Sequence, residues 1–278
     1  MTARTVIITG ASDGIGAVAA RQLAQRGDRV VVVGRSPVKT HAVAAELGAD
    51  AFVADFARLD DVRDLAAALL ERYPRIDVLA NNAGGILGRR EITVDGNEKT
   101  FQVNHLAPFL LTNLLLGRLE ESEATVINTS SVANSRFARF DIDDVQSERG
   151  YSENRAYGNA KLANILFTTE LHKRSFDRGI STAAFHPGIV ATNFASNSTS
   201  FMRLIYRTAF KLFLIPPEQG ADTLVWLATA APGIDWVSGA YYDKRQIARA
   251  NPQAYDTALA AQLWELSADL VGAPVERH

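Results

Sequence analysis

Tyr157 and Lys161 stand four residues apart in Tyr157-Gly158-Asn159-Ala160-Lys161, a spacing that puts both side chains on one helix face, a turn apart. Such a pair suits hydride chemistry at a carbonyl. Adding hydride creates an alkoxide that needs a proton, and a phenol with a pKa of about 10 supplies it only when that value is lowered. A nearby ammonium does this by stabilising the phenolate. Two further groups fit the same chemistry. Ser130-Ser131 follows an apolar run, and a serine hydroxyl there can hold the substrate oxygen. Asn104, in Val103-Asn104-His105, can anchor a relay water near the lysine. Taken singly, a serine at a turn or cap and a buried amide bracing a helix explain these residues better. The setting has to decide.

A second group of residues suits a diphosphate. Gly10-Ala11-Ser12-Asp13-Gly14-Ile15-Gly16 lies between an apolar strand and a helix. Its glycines let the backbone turn sharply and approach phosphate, whose charge meets the unpaired amides of the helix start. The spacing is G-x-x-x-G-x-G, and no lysine follows as a nucleoside-triphosphate loop requires. The next strand ends Val33-Gly34-Arg35. A carboxylate at that point would take the ribose hydroxyls of NAD, whereas an arginine suits the 2'-phosphate of NADP. Arg35 therefore favours NADP over NAD, with Arg58 or Lys39 as possible helpers. Asp13 counts against it, because a basic residue in the turn would have strengthened the case.

These residues need a scaffold that brings strand ends together. Apolar strands are expected over Thr5 to Thr9, Arg29 to Val33, Ala51 to Ala54, Asp77 to Ala80, Ala124 to Thr129 and Ile180 to Phe185, with a short one at Gly239 to Tyr242. Helical patterns alternate with them: Ile15 to Arg26, Val38 to Leu47, one capped by Asp60 or Asp61 and ending near Tyr73, Asp95 to Leu119, Asn154 to Ser175 and Pro217 to Ala230. This is the pattern of a parallel sheet covered on both faces, with binding beyond the carboxyl ends of its strands. The chain of 278 residues fits one α/β domain. The absence of cysteine excludes disulfides, thiolate zinc sites and cysteine nucleophiles, and five scattered histidines suggest no metal site. A net charge of -2 gives no reason to expect nucleic acid. No run of about 20 apolar residues suggests a membrane span. The chain goes directly into a strand and glycine turn, as expected of a cytoplasmic protein without a signal peptide.

The whole set resembles the short-chain dehydrogenase/reductase family in its classical form, and most closely its retinol-dehydrogenase-like branch. Thr9 to Gly16 matches the family's cofactor turn, Asn81-Asn82-Ala83-Gly84 its signature after the fourth strand, and Pro187-Gly188 with Thr192 the stretch that meets the nicotinamide. The branch resemblance rests on Tyr157 to Thr168, His186-Pro187-Gly188, the long gap from serine to tyrosine, and Val237 to Tyr242. It implies a single Rossmann-type α/β domain over residues 1–278, with a doubly wound, mainly seven-stranded parallel sheet flanked by helices. It makes Asn104, Ser131, Tyr157 and Lys161 the catalytic four, with Ser131 preferred because the family's active serine is usually the second of such a pair. It implies cofactor contacts at Gly10, Ser12, Asp13, Gly14, Ile15, Gly16, Arg35, Asp55, Phe56, Asn81, Ala83, Gly84, Tyr157, Lys161, Pro187, Gly188, Val190 and Thr192. The expected activity is interconversion of an alcohol and an aldehyde or ketone, on a lipophilic small molecule with NADP. A homodimer or homotetramer is expected from the same resemblance.

Residues 194–216 form an insertion whose 201–215 stretch alternates apolar residues with Arg203, Arg207 and Lys211, the pattern of an amphipathic helix. It suits a substrate lid, or a contact with a membrane or partner. Trp264, in a C-terminal helical stretch, suits either a subunit contact or the core. Two other functions share the fold: an epimerase or dehydratase using the bound dinucleotide, and a non-catalytic dinucleotide sensor.

Overall fold

Consecutive apolar residues fold into strands buried on both faces. The computed structural model describes residues 3–188 and 215–273. Strands β1 (Thr5–Thr9), β2 (Arg29–Gly34), β3 (Asp50–Val53), β4 (Val78–Asn81), β5 (Thr125–Thr129), β6 (Ser181–His186) and β7 (Ala240–Asp243) pair in parallel, and β8 (Gln246–Ile247) returns antiparallel to β7. The spatial order is β3-β2-β1-β4-β5-β6-β7-β8. Seven parallel strands match the expectation, and the two-residue β8 is an addition to it. Strand order reverses between β1 and β4, where an open α/β sheet leaves a crevice at its carboxyl ends.

Alternate strand residues supply two cores. Ile7, Val31, Leu79 and Val126 pack against α3 (Leu59–Arg72), α5 (Ala107–Leu114), α8 (Glu153–Ser175) and the C-terminal helix α10 (Thr257–Val271). Val6, Ile8, Val32 and Ile127 pack against α1 (Gly14–Gln25), α2 (Pro37–Leu47) and α9 (Pro217–Thr229). Trp264 of α10 is in the first core. Its ring lies 5.0 Å from that of Phe109 and 5.7 Å from that of Phe167, so of its two expected environments the intramolecular one is present.

Two local expectations change. The helix expected to run unbroken from Asp95 to Leu119 is divided into α4 (Lys99–Phe101), a π-turn (Gln102–Leu106), α5 and α6 (Leu116–Glu121). The π-turn inserts one residue into the helical register, with the Ala107 N–H reaching back to the carbonyl of Gln102. Asp60 and Asp61 do not cap α3; both lie in its first turn. The Leu59 N–H instead donates to the Asp95 carboxylate, and Asp61 accepts from the Asp55 N–H. The connection after β5 also contains a short helix, α7 (Ala133–Arg136). Among the described residues no helix is long and apolar enough to cross a membrane. The stretch 201–214 lies outside the described residues.

Candidate active site

One cavity of about 710 Å³ lies along the carboxyl ends of β1 to β6, a volume within the usual range for small-molecule sites. Its wall begins at the glycine turn. Gly10 takes φ 67°, and a β-carbon there would come within 2.8 Å of the Ala83 backbone. One on Gly16 would come within 2.4 Å of the Gly10 carbonyl oxygen. Both positions need the bare backbone, so the turn can sit tightly over the start of α1. Asp13 caps that helix by accepting from the Gly14 N–H at 2.8 Å, and its other oxygen receives Lys39 Nζ at 2.7 Å. Lys39 thus offsets the negative charge that counted against NADP.

Arg35 is exposed at the end of β2 and lines this end of the cavity with Ser36, Lys39, Asp55 and Phe56. Among the described residues its guanidinium makes no hydrogen bond or ion pair, which leaves it available to an anion. Arg58, the other suggested helper, pairs with Asp61 and does not line the cavity.

At the opposite end are Ser131, Tyr157 and Lys161, all on the wall. Ser131 sits just past β5, where its Oγ accepts from the Ala133 N–H at 3.2 Å and so faces the start of α7. The neighbouring Ser130 is turned away, its hydroxyl donating to the Lys161 carbonyl at 2.7 Å. Tyr157 and Lys161 lie one turn apart on α8, with Nζ 5.5 Å from the phenol ring centre. Lys161 is fully buried. Its Nζ donates to the Thr129 carbonyl at 3.1 Å, and desolvation lowers its pKa from 10.5 to about 7.

The expected residues are mostly brought together: Gly10, Ser12, Asp13, Gly14, Ile15, Gly16, Ala83, Gly84, Pro187 and Gly188 all line the same cavity. Two do not. Asn81 is buried under the sheet, where its amide donates to Thr112 and Asn128, because strand alternation points it away from the crevice. Asn82, the next residue, lines the cavity and ties its amide to the Thr9 carbonyl at 3.0 Å. Asn104 is the second. It accepts from the Gly85 N–H at 2.9 Å and donates to the carbonyls of Gly85 and Thr100. Its side chain clamps the loop after β4 through these bonds. It remains close to the chemistry: its Oδ1 and Lys161 Nζ both lie within 3.1 Å of where a β-carbon on Gly84 would stand. Val190 and Thr192 lie outside the described residues. Residues to which the sequence assigned no role in the site include Ile86, Leu87, Val132 and Phe137, apolar parts of a wall shared with Arg136 and Asn154, and His186, quoted only within a motif, which joins two of the loops. Only the apolar character of the first four was visible in the sequence.

Residues 4–203 match the model of the family described as short chain dehydrogenase. The chain is 46% identical over 276 residues to a provisionally named daunorubicin C-13 ketoreductase of Streptomyces sp. (strain C5), covering 97% of this chain and 93% of that protein. It is 38% identical over 277 residues to retinol dehydrogenase 12 of Bos taurus, covering 97% and 86% respectively. A crystal structure of a protein without assigned function from Mycobacterium Paratuberculosis superposes with a TM-score of 0.78 at 33% identity, over 98% of this chain and 95% of that one. Cavity, sheet order and sequence agree, and the chain belongs to the short-chain dehydrogenase family.

Proposed function

We propose that the protein is an NADP(H)-dependent oxidoreductase that interconverts an alcohol with an aldehyde or ketone of a lipophilic small molecule. The observation that carries this reading is the Tyr157–Lys161 pair, buried at one end of a cavity whose other end is lined by the glycine turn and Arg35. Gly10 and Gly16 let the turn pack tightly against Asn82, Ala83 and the start of α1, the kind of helix start at which a diphosphate is held. Arg35 would hold the ribose 2'-phosphate, and the Lys39–Asp13 pair keeps the turn from repelling it.

When bound, the cofactor supplies or accepts the hydride. The chain's own residues manage the oxygen and its proton. In reduction, the hydroxyls of Ser131 and Tyr157 hold the carbonyl oxygen, and Tyr157 gives up its phenolic proton as negative charge grows there. Lys161 stabilises the phenolate left behind, and the phenolate in turn favours the charged form of a lysine that burial would otherwise discharge. Oxidation is the reverse. Ile86, Leu87, Val132 and Phe137 favour an apolar substrate body. The ketoreductase and retinol dehydrogenase names of the relatives support the same class of chemistry.

The test is Tyr157→Phe, assayed for NADPH consumption with a panel of lipophilic aldehydes and ketones. A loss of about 10²-fold or more in kcat is expected, with NADPH binding retained. Full activity in the variant would remove Tyr157 from the role of proton donor.

A further inference from the structure

His186 ends β6 with its ring against two loops that both line the site. Its Nδ1 lies 3.3 Å from the Val132 N–H, in the loop after β5, and 3.3 Å from the Gly188 N–H, in the turn after β6. Both partners are donors. Nδ1 must therefore be the unprotonated, accepting nitrogen, with the ring proton on Nε2. Val132 follows Ser131 directly, and Gly188 closes the Pro187–Gly188 turn, so one imidazole edge joins the serine loop to that turn. A proton on Nδ1 would remove both bonds together.

We infer that His186 is a positioning residue whose neutral ring latches the Ser131–Val132 loop to the Pro187–Gly188 turn, and that protonation opens this latch. The inference rests on the reading that Ser131 and Tyr157 carry the chemistry. The surroundings favour the neutral form. Burial pushes the His186 pKa below its ordinary value, the Asp243 carboxylate on β7 opposes this, and the Arg136 and Lys244 cations add to it. Asp243 is also the strand neighbour of His186 in register. The latch is therefore closed at neutral pH and opens on the acid side.

Two substitutions separate the latch from simple packing. In His186→Asn the side-chain oxygen stands near the place of Nδ1 and accepts, but does not titrate. His186→Phe keeps a ring without an acceptor. Initial rates of NADPH-dependent reduction of 4-nitrobenzaldehyde are measured from about pH 5 to 9, spanning the histidine range. Wild type is expected to lose kcat on the acid side through one protonation. His186→Phe should lose about tenfold in kcat with little change in the NADPH KM. His186→Asn should restore the greater part of that rate and lack the acid limb. An unchanged acid limb in His186→Asn, or full kcat in His186→Phe, would overturn the proposal. If wild type reduces no carbonyl, the catalytic reading fails, and the latch is still tested by nitrogen-15 histidine spectra of the protein without substrate. The signal missing from His186→Asn should then show the neutral Nε2–H tautomer; an Nδ1–H tautomer would refute the latch.

Discussion

Replacing Lys161 with methionine removes the ammonium and keeps a flexible apolar stem of similar length. Lys161 is 1% exposed, and desolvation lowers its pKa from 10.5 to about 7. At 1.36 kcal/mol per pH unit, holding this lysine in the fold costs about 4 kcal/mol at pH 7 in the cofactor-free protein. The lost hydrogen bond to the Thr129 carbonyl gives back about 1 kcal/mol, and that carbonyl still accepts from Asn164 Nδ2 at 3.0 Å. Lys161→Met should therefore be inactive yet more stable than wild type by about 3 kcal/mol at pH 7. The sign of the pH dependence follows from the lowered value. Between about 7 and 10.5 the unfolded chain binds more protons than the folded one, so wild-type stability rises with pH across that window. The advantage of the variant should shrink to near zero by about pH 9.5 once the lost hydrogen bond is counted. Equilibrium urea unfolding of cofactor-free protein at the two pH values measures this. A variant less stable than wild type at neutral pH, or an advantage that does not change with pH, would refute the argument.

Arg35→Ala should weaken NADPH binding by about 10- to 100-fold, the worth of charge-assisted hydrogen bonds to one phosphate, while NADH binding stays within a few-fold. Equal losses for both in fluorescence titrations would exclude Arg35 as the discriminating group. Gly84→Ala places a β-carbon 2.4 Å from Asn104 Oδ1 and 3.1 Å from Lys161 Nζ. It should cost about 1–3 kcal/mol in stability and about 10²-fold in kcat, and wild-type kinetics would show that the loop after β4 adapts freely.

What was legible in the sequence follows the range of the interactions. Strands such as Val30 to Val33 announce themselves because burial on both faces demands unbroken apolar residues. The glycine turn and the Tyr157–Lys161 spacing are local, and both stand where their neighbours in sequence place them. The π-turn was not legible. Gln102 donates to the Phe56 carbonyl and to Asp95, and Asn104 binds Gly85, so partners distant in the chain surround the register change. The start of α3 is similar, since its acceptor, Asp95, comes from 36 residues away. Asn81 and Asn82 look equivalent as letters, and only the pleat of β4 decides which one faces the crevice. Lys39 could be suggested, but its pairing with Asp13 depends on how α2 leans over the glycine turn.

The position of α10 bears on how copies of this chain can meet. Its Trp264 fills the groove between α5 and α8 by packing on Phe109 and Phe167, while Arg174 lies over the indole at 4.7 Å. That flank is thus sealed by the chain's own last helix. A neighbouring copy approaching from this side would meet the outer, more polar surface of α10 instead of bare aromatic rings. Assembly there would have to be built on a different chemical face from the one that α5 and α8 alone would offer.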